Sequence, residues 1–82
     1  MDTFGERYNA AVAAELRAAR ARKKVTIDEL VEATGLSLAS VKRYLSAERD
    51  IPVPAFANIA RVLGVDPGEV ADLAFKHLTE DD

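Results

Sequence analysis

The chain has 82 residues, 49% of them apolar, and a formal net charge of −3. This length supports one small domain, and the absence of cysteine excludes disulfides and thiolate metal sites. No apolar run has transmembrane length, and the N-terminus does not have the pattern of a signal peptide, so we expect a cytoplasmic protein.

The charges are distributed unevenly along the chain. Eight basic and four acidic residues lie between Arg17 and Arg49, which gives this segment a net charge of +4. The remainder contains three bases and ten acids. A basic segment between acidic ends can present one side of the molecule to phosphate despite the negative total.

The first predicted helix begins near Phe4, because Thr3 and Glu6 have the spacing of a capping box. Its apolar stripe repeats at intervals of four, four and three residues: Tyr8, Val12, Leu16 and Ala19. Basic residues crowd its C-terminal end: Arg17, Arg20, Arg22, Lys23 and Lys24. Two interpretations account for them equally well, namely a solvated helix end that complements the helix dipole and a contact with phosphate.

The stretch from Thr26 to Leu45 predicts two short helices joined by a tight turn. Thr26 and Glu29 form a second capping box, and Gly35 can adopt the left-handed conformation of a sharp helix exit. This arrangement is the sequence form of a helix-turn-helix, which can set its second helix into the DNA major groove.

The second helix of this unit is predicted from Ser37, as the cap, to about Ser46. Helical spacing places Val41, Tyr44 and Leu45 on its inward face. The opposite, exposed face consists of Leu38, Ala39, Lys42 and Arg43.

Two further helices complete the prediction. Pro52 and Pro54 introduce the fourth, which ends at Gly64, and Asp66 caps the fifth. The fifth helix has an apolar stripe that is either core or a dimer interface; with the polar residue beside it, the interface candidates are Val70, Leu73, Ala74, His77 and Leu78. The acidic tail 79–82 is predicted to fray. Residues 1–82 should therefore form a single all-α domain of five helices.

Two segments carry a family resemblance: LRAARARKKVTIDELVEATGLSLASVKRYLSAERD and FANIARVLGVDPGEV. Together they make residues 16–70 resemble the lambda-repressor/Cro-like (XRE) helix-turn-helix family of DNA-binding regulators. The most specific elements are the IARVLGVDPGEV ending and the spacing of Leu30, Gly35, Ser37 and Val41. The resemblance implies a lambda-repressor-like fold, with helices 2 and 3 as the helix-turn-helix, in a bacterial or phage-infected cell.

The resemblance also implies that helix 37–46 enters the major groove. Base contacts are then expected from Leu38, Ala39, Lys42 and Arg43, among which the guanidinium of Arg43 can bond guanine in a bidentate way. Contacts to the DNA backbone are expected from flanking basic and hydroxyl residues: Arg17, Arg20, Lys23, Lys24, Ser37, Ser40, Ser46 and Arg49.

The sequence departs from the family pattern at two places. Ile27 stands where many members have a glutamine that clamps the DNA backbone. Leu45-Ser46-Ala47 replaces Glu-Asn-Gly after the third helix, and that glutamate often pairs with an arginine at the position of Arg20. Arg20 is therefore expected either to contact phosphate or to pair with another acid such as Glu48.

The leading hypothesis is a sequence-specific regulator of transcription that binds double-stranded DNA, of the phage repressor, Cro or similar small repressor type. It would act as a homodimer on a partly palindromic operator. One alternative is a protein-interaction module on the same fold, with an antitoxin, anti-repressor or partner-binding role; the exposed Leu38, the acidic total and the missing glutamine favour it. Another is an architectural, excisionase-like DNA binder, which would usually be a basic chain.

An enzyme is not expected, and neither a cofactor nor a metal nor a small-molecule ligand is implied. The chain lacks cysteine and has one histidine, His77. We interpret His77 as a polar residue in the last turn of a helix. No glycine-rich phosphate loop or catalytic carboxylate pair is recognisable.

Overall fold

The computed structural model describes residues 2–80, and they form five α-helices without a strand. The helices are α1 (Phe4–Lys23), α2 (Ile27–Thr34), α3 (Leu38–Leu45), α4 (Val53–Leu63) and α5 (Pro67–Thr79). The predicted all-α, five-helix fold is thus confirmed, with α2 and α3 as the helix-turn-helix.

Side-chain caps define the starts of α1, α2, α3 and α5, as the sequence predicts. Thr3 and Thr26 each complete a capping box with the glutamate three residues later. The side chain of Ser37 accepts from the N–H of Ser40, and Asp66 caps α5 by accepting from the first free N–H groups of that helix. Because each cap satisfies donors that have no partner within the helix, these four helices begin at fixed residues, whereas α4 begins after Pro52 without a side-chain cap.

Three helices end in a left-handed residue. Gly35 has φ +76° after α2 and Gly64 has φ +69° after α4, where glycine adopts this conformation without strain. Lys24 takes the same conformation after α1, with φ +56°. The two glycine stops therefore lie where the sequence places them, and the stop after α1 is made by a basic residue.

The core is apolar throughout the described residues, and four helices supply its largest fully buried side chains: Leu16, Leu30, Val41, Ile59 and Leu63. α5 covers this core by packing along α1, with Val70 and Ala74 buried at the contact. This packing leaves the exposed face of α3 on the outside of the molecule, supported from behind by α1 and α2.

Helix α3 ends at Leu45 with Ser46 as its cap, which agrees with the predicted limit near Ser46, and Ala47 then turns into the left-handed region at φ +63°. Two other expectations need correction. Thr79 belongs to α5, where its hydroxyl donates to the carbonyl of Phe75 at 3.0 Å, so a frayed tail does not begin there. Residues 81–82 of the predicted acidic tail lie outside the described residues.

The second correction concerns the stripe of α5. Leu73 is 48% exposed, whereas Val70 and Ala74 are buried. α1 contacts a narrow seam of α5, and Leu73 lies about 100° around the helix from Ala74, beyond the edge of that seam.

Candidate nucleic-acid interface

The turn between α2 and α3 is held by side-chain hydrogen bonds to the backbone. The hydroxyl of Thr34 donates to the carbonyl of Leu30 at 2.6 Å and accepts from the N–H of Leu36 at 3.2 Å. From α4, the amide of Asn58 donates to the carbonyl of Thr34 at 2.8 Å. Sequence reasoning missed Asn58, since no local pattern shows that α4 passes the end of α2. These bonds fix the angle at which α3 leaves the turn.

Helix α3 has the two faces that its spacing predicts. Its inward face is buried in the core: Val41, Tyr44 and Leu45. Its outward face consists of the four residues expected to contact bases, all of them exposed: Leu38, Ala39, Lys42 and Arg43. Among the described residues, the ion pairs involve neither Lys42 nor Arg43. The two cations therefore stand on the surface beside an apolar pair of which Leu38 is 44% exposed.

Two arginines of α1 that were expected to contact phosphate are engaged within the protein. A terminal nitrogen of Arg17 donates to the carbonyl of Leu45, the last residue of α3. Arg20 donates to the carbonyl of Val25 at 3.0 Å, and its buried Nε has no hydrogen-bond partner. Arg20 thus bonds to a backbone carbonyl and forms no described ion pair with Glu48, while its contact with phosphate stays a prediction. The acid that pairs with it in relatives is replaced here by Leu45.

The exposed positive charge at the end of α1 comes from the three residues that follow: Arg22, Lys23 and Lys24. Lys23 and Lys24 were expected to contact the DNA backbone. Arg22 was left out of that set, although it is equally exposed. A surface of exposed cations at this helix end is suited to phosphate, while Arg17 and Arg20 hold the helix against its neighbours.

Some of the hydroxyl groups that are expected to contact the DNA backbone also form hydrogen bonds within the protein. Ser37 caps α3 and also donates to the Oγ of Ser40 at 2.9 Å. Ser46 donates to the carbonyl of Arg43 at 3.2 Å. Ser40 retains its own proton, so its hydroxyl is the best placed of the three to donate to a phosphate oxygen.

Arg49 is exposed on the connection between α3 and α4, and α1 holds this connection in place. The amide of Asn9 donates to the carbonyl of Arg49 at 3.3 Å and accepts from the N–H of Ile51 at 3.0 Å. Asn9 therefore fixes the backbone on both sides of Asp50. Sequence reasoning missed this residue, because the contact joins positions 40 and 42 residues apart.

The N-terminus of α2 is acidic. Asp28 and Glu29 occupy its first turn, next to Ile27, where relatives clamp the DNA backbone. The backbone N–H of Thr26, and then its side chain, hold the pKa of Glu29 below its usual range. Glu29 consequently stays charged, and this helix end repels phosphate where a helix N-terminus would otherwise attract it.

The five interface candidates on α5 are divided by the packing. Val70 and Ala74 are buried within the subunit, so they cannot form the surface of a dimer. Leu73 is half exposed, Leu78 is half buried, and His77 is exposed with its Nε2 3.6 Å from an Oε1 of Glu15. Only the flank with Leu73, His77 and Leu78 remains for a contact through this stripe.

Residues 2–80 provide neither a metal site nor a membrane-spanning helix. No cluster of three histidine or acidic side chains that could hold a metal ion occurs in this range. None of its helices combines the length and apolar composition that crossing a membrane requires.

Comparison with known proteins gives three findings. A family model described as a helix-turn-helix domain matches residues 11–73. The crystal structure of the clp gene regulator ClgR from C. glutamicum superposes with a TM-score of 0.79 at 26% identity, covering 88% of this chain and 94% of that one. A cyanate hydratase of Burkholderia lata is 42% identical over 52 residues, which are 63% of this chain. The matched part is 33% of the hydratase, so the chain spans about a third of that relative.

The family model covers most of the chain, from the middle of α1 to the middle of α5. The fold extends the similarity to nearly the whole of a structure that is itself a gene regulator. Helix-turn-helix regulators bind double-stranded DNA, and their fold is typical of proteins without catalytic activity. Both findings support a role in DNA-binding regulation of transcription. The chain belongs to the helix-turn-helix family, with the five-helix architecture of its lambda-repressor/Cro-like (XRE) group.

Proposed function

We propose that this protein is a small sequence-specific repressor of the phage repressor or Cro type that inserts α3 into the major groove of its operator. The observation that carries the proposal is the exposed face of α3. Lys42 and Arg43 lie there outside the described ion pairs, on a helix whose other side is anchored in the core. A helix that is anchored on its inner side and carries cations outside the described ion pairs on its outer face can enter the groove without rearrangement.

The side chains on this face indicate how bases would be read. Arg43 supplies the hydrogen bonds, most favourably to O6 and N7 of a guanine. Leu38 and Ala39 have no polar group beyond the backbone and would contact thymine methyl groups. Specificity would then combine one or two strong polar contacts with apolar recognition of neighbouring thymines.

Contacts to phosphate position this helix in the proposal. The exposed cations Lys23, Lys24 and Arg49 supply charge on either side of α3, and Ser40 supplies a neutral donor. Arg17 and Arg20 act indirectly, by holding α1 against α3 and against the connection to α2. The acidic first turn of α2 weakens backbone binding, so we expect a single subunit to bind weakly.

A homodimer compensates for this weakness. Two copies related by a two-fold axis would place their α3 helices on half-sites about 34 Å apart, one helical turn of DNA. The exposed flank of α5 with Leu73 and His77 is the candidate contact between copies. The limited core of an 82-residue chain is consistent with such association.

The test uses the DNA immediately upstream of the protein's own gene. Short inverted repeats in that DNA should be protected from nuclease by the purified protein, in two patches on one face of the duplex. The affinity should fall steeply with salt through counterion release, and a scrambled duplex of equal length should bind much more weakly. Equal affinity for the repeat and for the scrambled duplex would rule out a sequence-specific repressor.

The alternative is a protein-interaction module, in an antitoxin, anti-repressor or similar partner-binding role. The hydrogen bonds of Arg17 and Arg20 to backbone carbonyls and the acidic end of α2 favour it. A similar segment also occurs in a protein named as a hydratase. Retained binding of a partner, together with no salt-dependent binding to any duplex, would favour this alternative over the repressor.

A further inference from the structure

An apolar groove of about 610 Å³ lies on a side of the molecule to which α2 and α3 contribute no lining residue. It runs between the N-terminal half of α1, the connection before α4, and the starts of α4 and α5. Its apolar lining comes from all of these elements: Tyr8, Val12, Ile51, Val53, Phe56 and Ala71. A groove of this size can receive a few bulky side chains of a binding segment.

Exposed apolar side chains are concentrated at this groove. Val53, the first residue of α4, lines the groove and is 78% exposed. Phe4 and Phe75 are each about half exposed, and their rings lie 6.3 Å and 6.5 Å from the ring of Tyr8 in the lining. The groove and these two rings thus form one continuous apolar surface, a feature that marks interaction sites on small soluble domains.

The charge around the groove is negative. Asp50 is part of the lining, and the carboxylate of Asp66 is bonded to the N–H of Gly68, another lining residue. No lysine, arginine or histidine lines the groove. A binding segment that carries lysine or arginine next to its apolar residues would complement this surface.

An anionic segment is a poor occupant, although α4 and α5 both begin at the groove. The first N–H groups of α5 already donate to Asp66, and the prolines at positions 54 and 67 have no N–H to donate. A second copy that presents the same groove is also disfavoured, because both surfaces would carry Asp50 and neither would offer a lysine or arginine from its lining.

We propose that this groove binds an amphipathic helix of a partner protein, with bulky apolar residues on one face flanked by lysine or arginine. The apolar face would pack on Tyr8 and Phe56, and the flanking cations would pair with Asp50 and Asp66. Because α3 does not line the groove, the partner and DNA can bind the same molecule. This proposal does not rest on DNA binding, and it can be tested with the protein alone.

The experiment titrates the labelled protein with three designed peptides of 16 residues and follows amide chemical shifts. One peptide has leucine on one helical face and lysine on the other, the second replaces every lysine by glutamate, and the third scrambles the order of the first. The lysine peptide should give saturable shifts at Val12, Ile51 and Ala71. The other two should bind at least about tenfold more weakly, as loss of charge or shape complementarity requires.

Ala57→Arg is the informative variant. Ala57 is exposed in the lining of the groove, so the arginine fills the groove without entering the core. Its positive charge also repels the lysines of the peptide. Ala14→Arg is the control, because Ala14 is exposed on the opposite face of α1 from Val12. Ala57→Arg should weaken the lysine peptide by roughly tenfold or more, and Ala14→Arg should leave it unchanged, with both variants melting as wild type.

Three results would overturn the proposal. One is equal affinity for the lysine and glutamate peptides, and another is binding that Ala57→Arg does not alter. The third is a dimer in sedimentation that Ala57→Arg dissociates and Ala14→Arg does not, which would assign the groove to a second copy.

Discussion

A terminal nitrogen of Arg17 in α1 donates a hydrogen bond to the carbonyl oxygen of Leu45, the last residue of the proposed recognition helix. The carbonyl groups at a helix C-terminus have no partner within the helix and carry partial negative charge. The guanidinium therefore ties α1 to the end of α3 that lies farthest from the turn. Together with Asn58 at the turn, it fixes α3 at both ends.

This role can be separated from phosphate binding by salt dependence. Arg17→Gln should destabilise the fold by about 1 kcal/mol, because a charged hydrogen bond at a helix end is lost. The slope of log K against log salt should stay as in wild type, since no phosphate contact is removed. The control Arg22→Gln removes an exposed cation from the same helix and should leave stability unchanged. A slope reduced by about 0.9 in Arg17→Gln would show that Arg17 does contact phosphate.

Arg43 is the residue on which base recognition most depends. The comparison uses the operator and a second duplex in which the contacted guanine is replaced. Arg43→Ala should lower the difference in binding free energy between these two duplexes by about 1–3 kcal/mol. Lys23→Ala is the control at an exposed residue proposed to contact phosphate; it should weaken both duplexes evenly, as loss of a point charge near phosphate does. Fluorescence anisotropy with the two duplexes gives both values. Unchanged discrimination in Arg43→Ala would show that the guanidinium does not read a base.

Local sequence signals were sufficient for the helices of this protein. Thr3, Thr26, Ser37 and Asp66 cap through their own next turn, so the chemistry lies within four residues of the chain. Helical spacing likewise separated the two faces of α3. These signals do not depend on how the helices are arranged in space.

The tertiary details could not be predicted in this way. Whether Arg17 contacts phosphate or the carbonyl of Leu45 depends on how closely α1 approaches α3, which no spacing encodes. Leu73 has the same period as its buried neighbours, yet the width of the seam with α1 leaves it at the surface. The groove is formed by four separate segments, and its lining residues look like ordinary core positions in the sequence.

Ala47 shows where the fold retains strain. Its φ of +63° lies in the left-handed region, at the position where the resemblance implies glycine in relatives. This conformation costs a residue with a side chain about 1–2 kcal/mol, and glycine avoids that cost. Glycine also raises the conformational entropy of the unfolded chain, which offsets part of the gain in stability. Ala47→Gly should therefore stabilise the protein by about 0.5–1 kcal/mol in urea denaturation.

The same substitution elsewhere supplies the control for Ala47. Ala14 is exposed in the interior of α1, where glycine should destabilise by about 0.5–1 kcal/mol. The two variants carry an identical chemical change and should shift the unfolding midpoint in opposite directions. If both shifted it downward, the left-handed residue would carry no strain that glycine relieves.

The capping box of α2 predicts a pH dependence. The backbone N–H of Thr26 and then its side chain lower the pKa of Glu29 in the folded state, so the unfolded chain takes up this proton first as the pH falls. The stabilisation by the charged carboxylate is fully present above the ordinary glutamate pKa of about 4.3 and is lost as the pH falls through the lower folded value.

Glu29→Gln keeps a neutral acceptor for Thr26 but removes the charge, so it should melt at a lower temperature than wild type at neutral pH. The difference should vanish in acid. Glu32→Gln, which removes an exposed charge of the same helix outside the capping box, is the reference for both pH values. A difference between Glu29→Gln and wild type that stayed constant from neutral to acid pH would show that the charge of Glu29 does not stabilise α2.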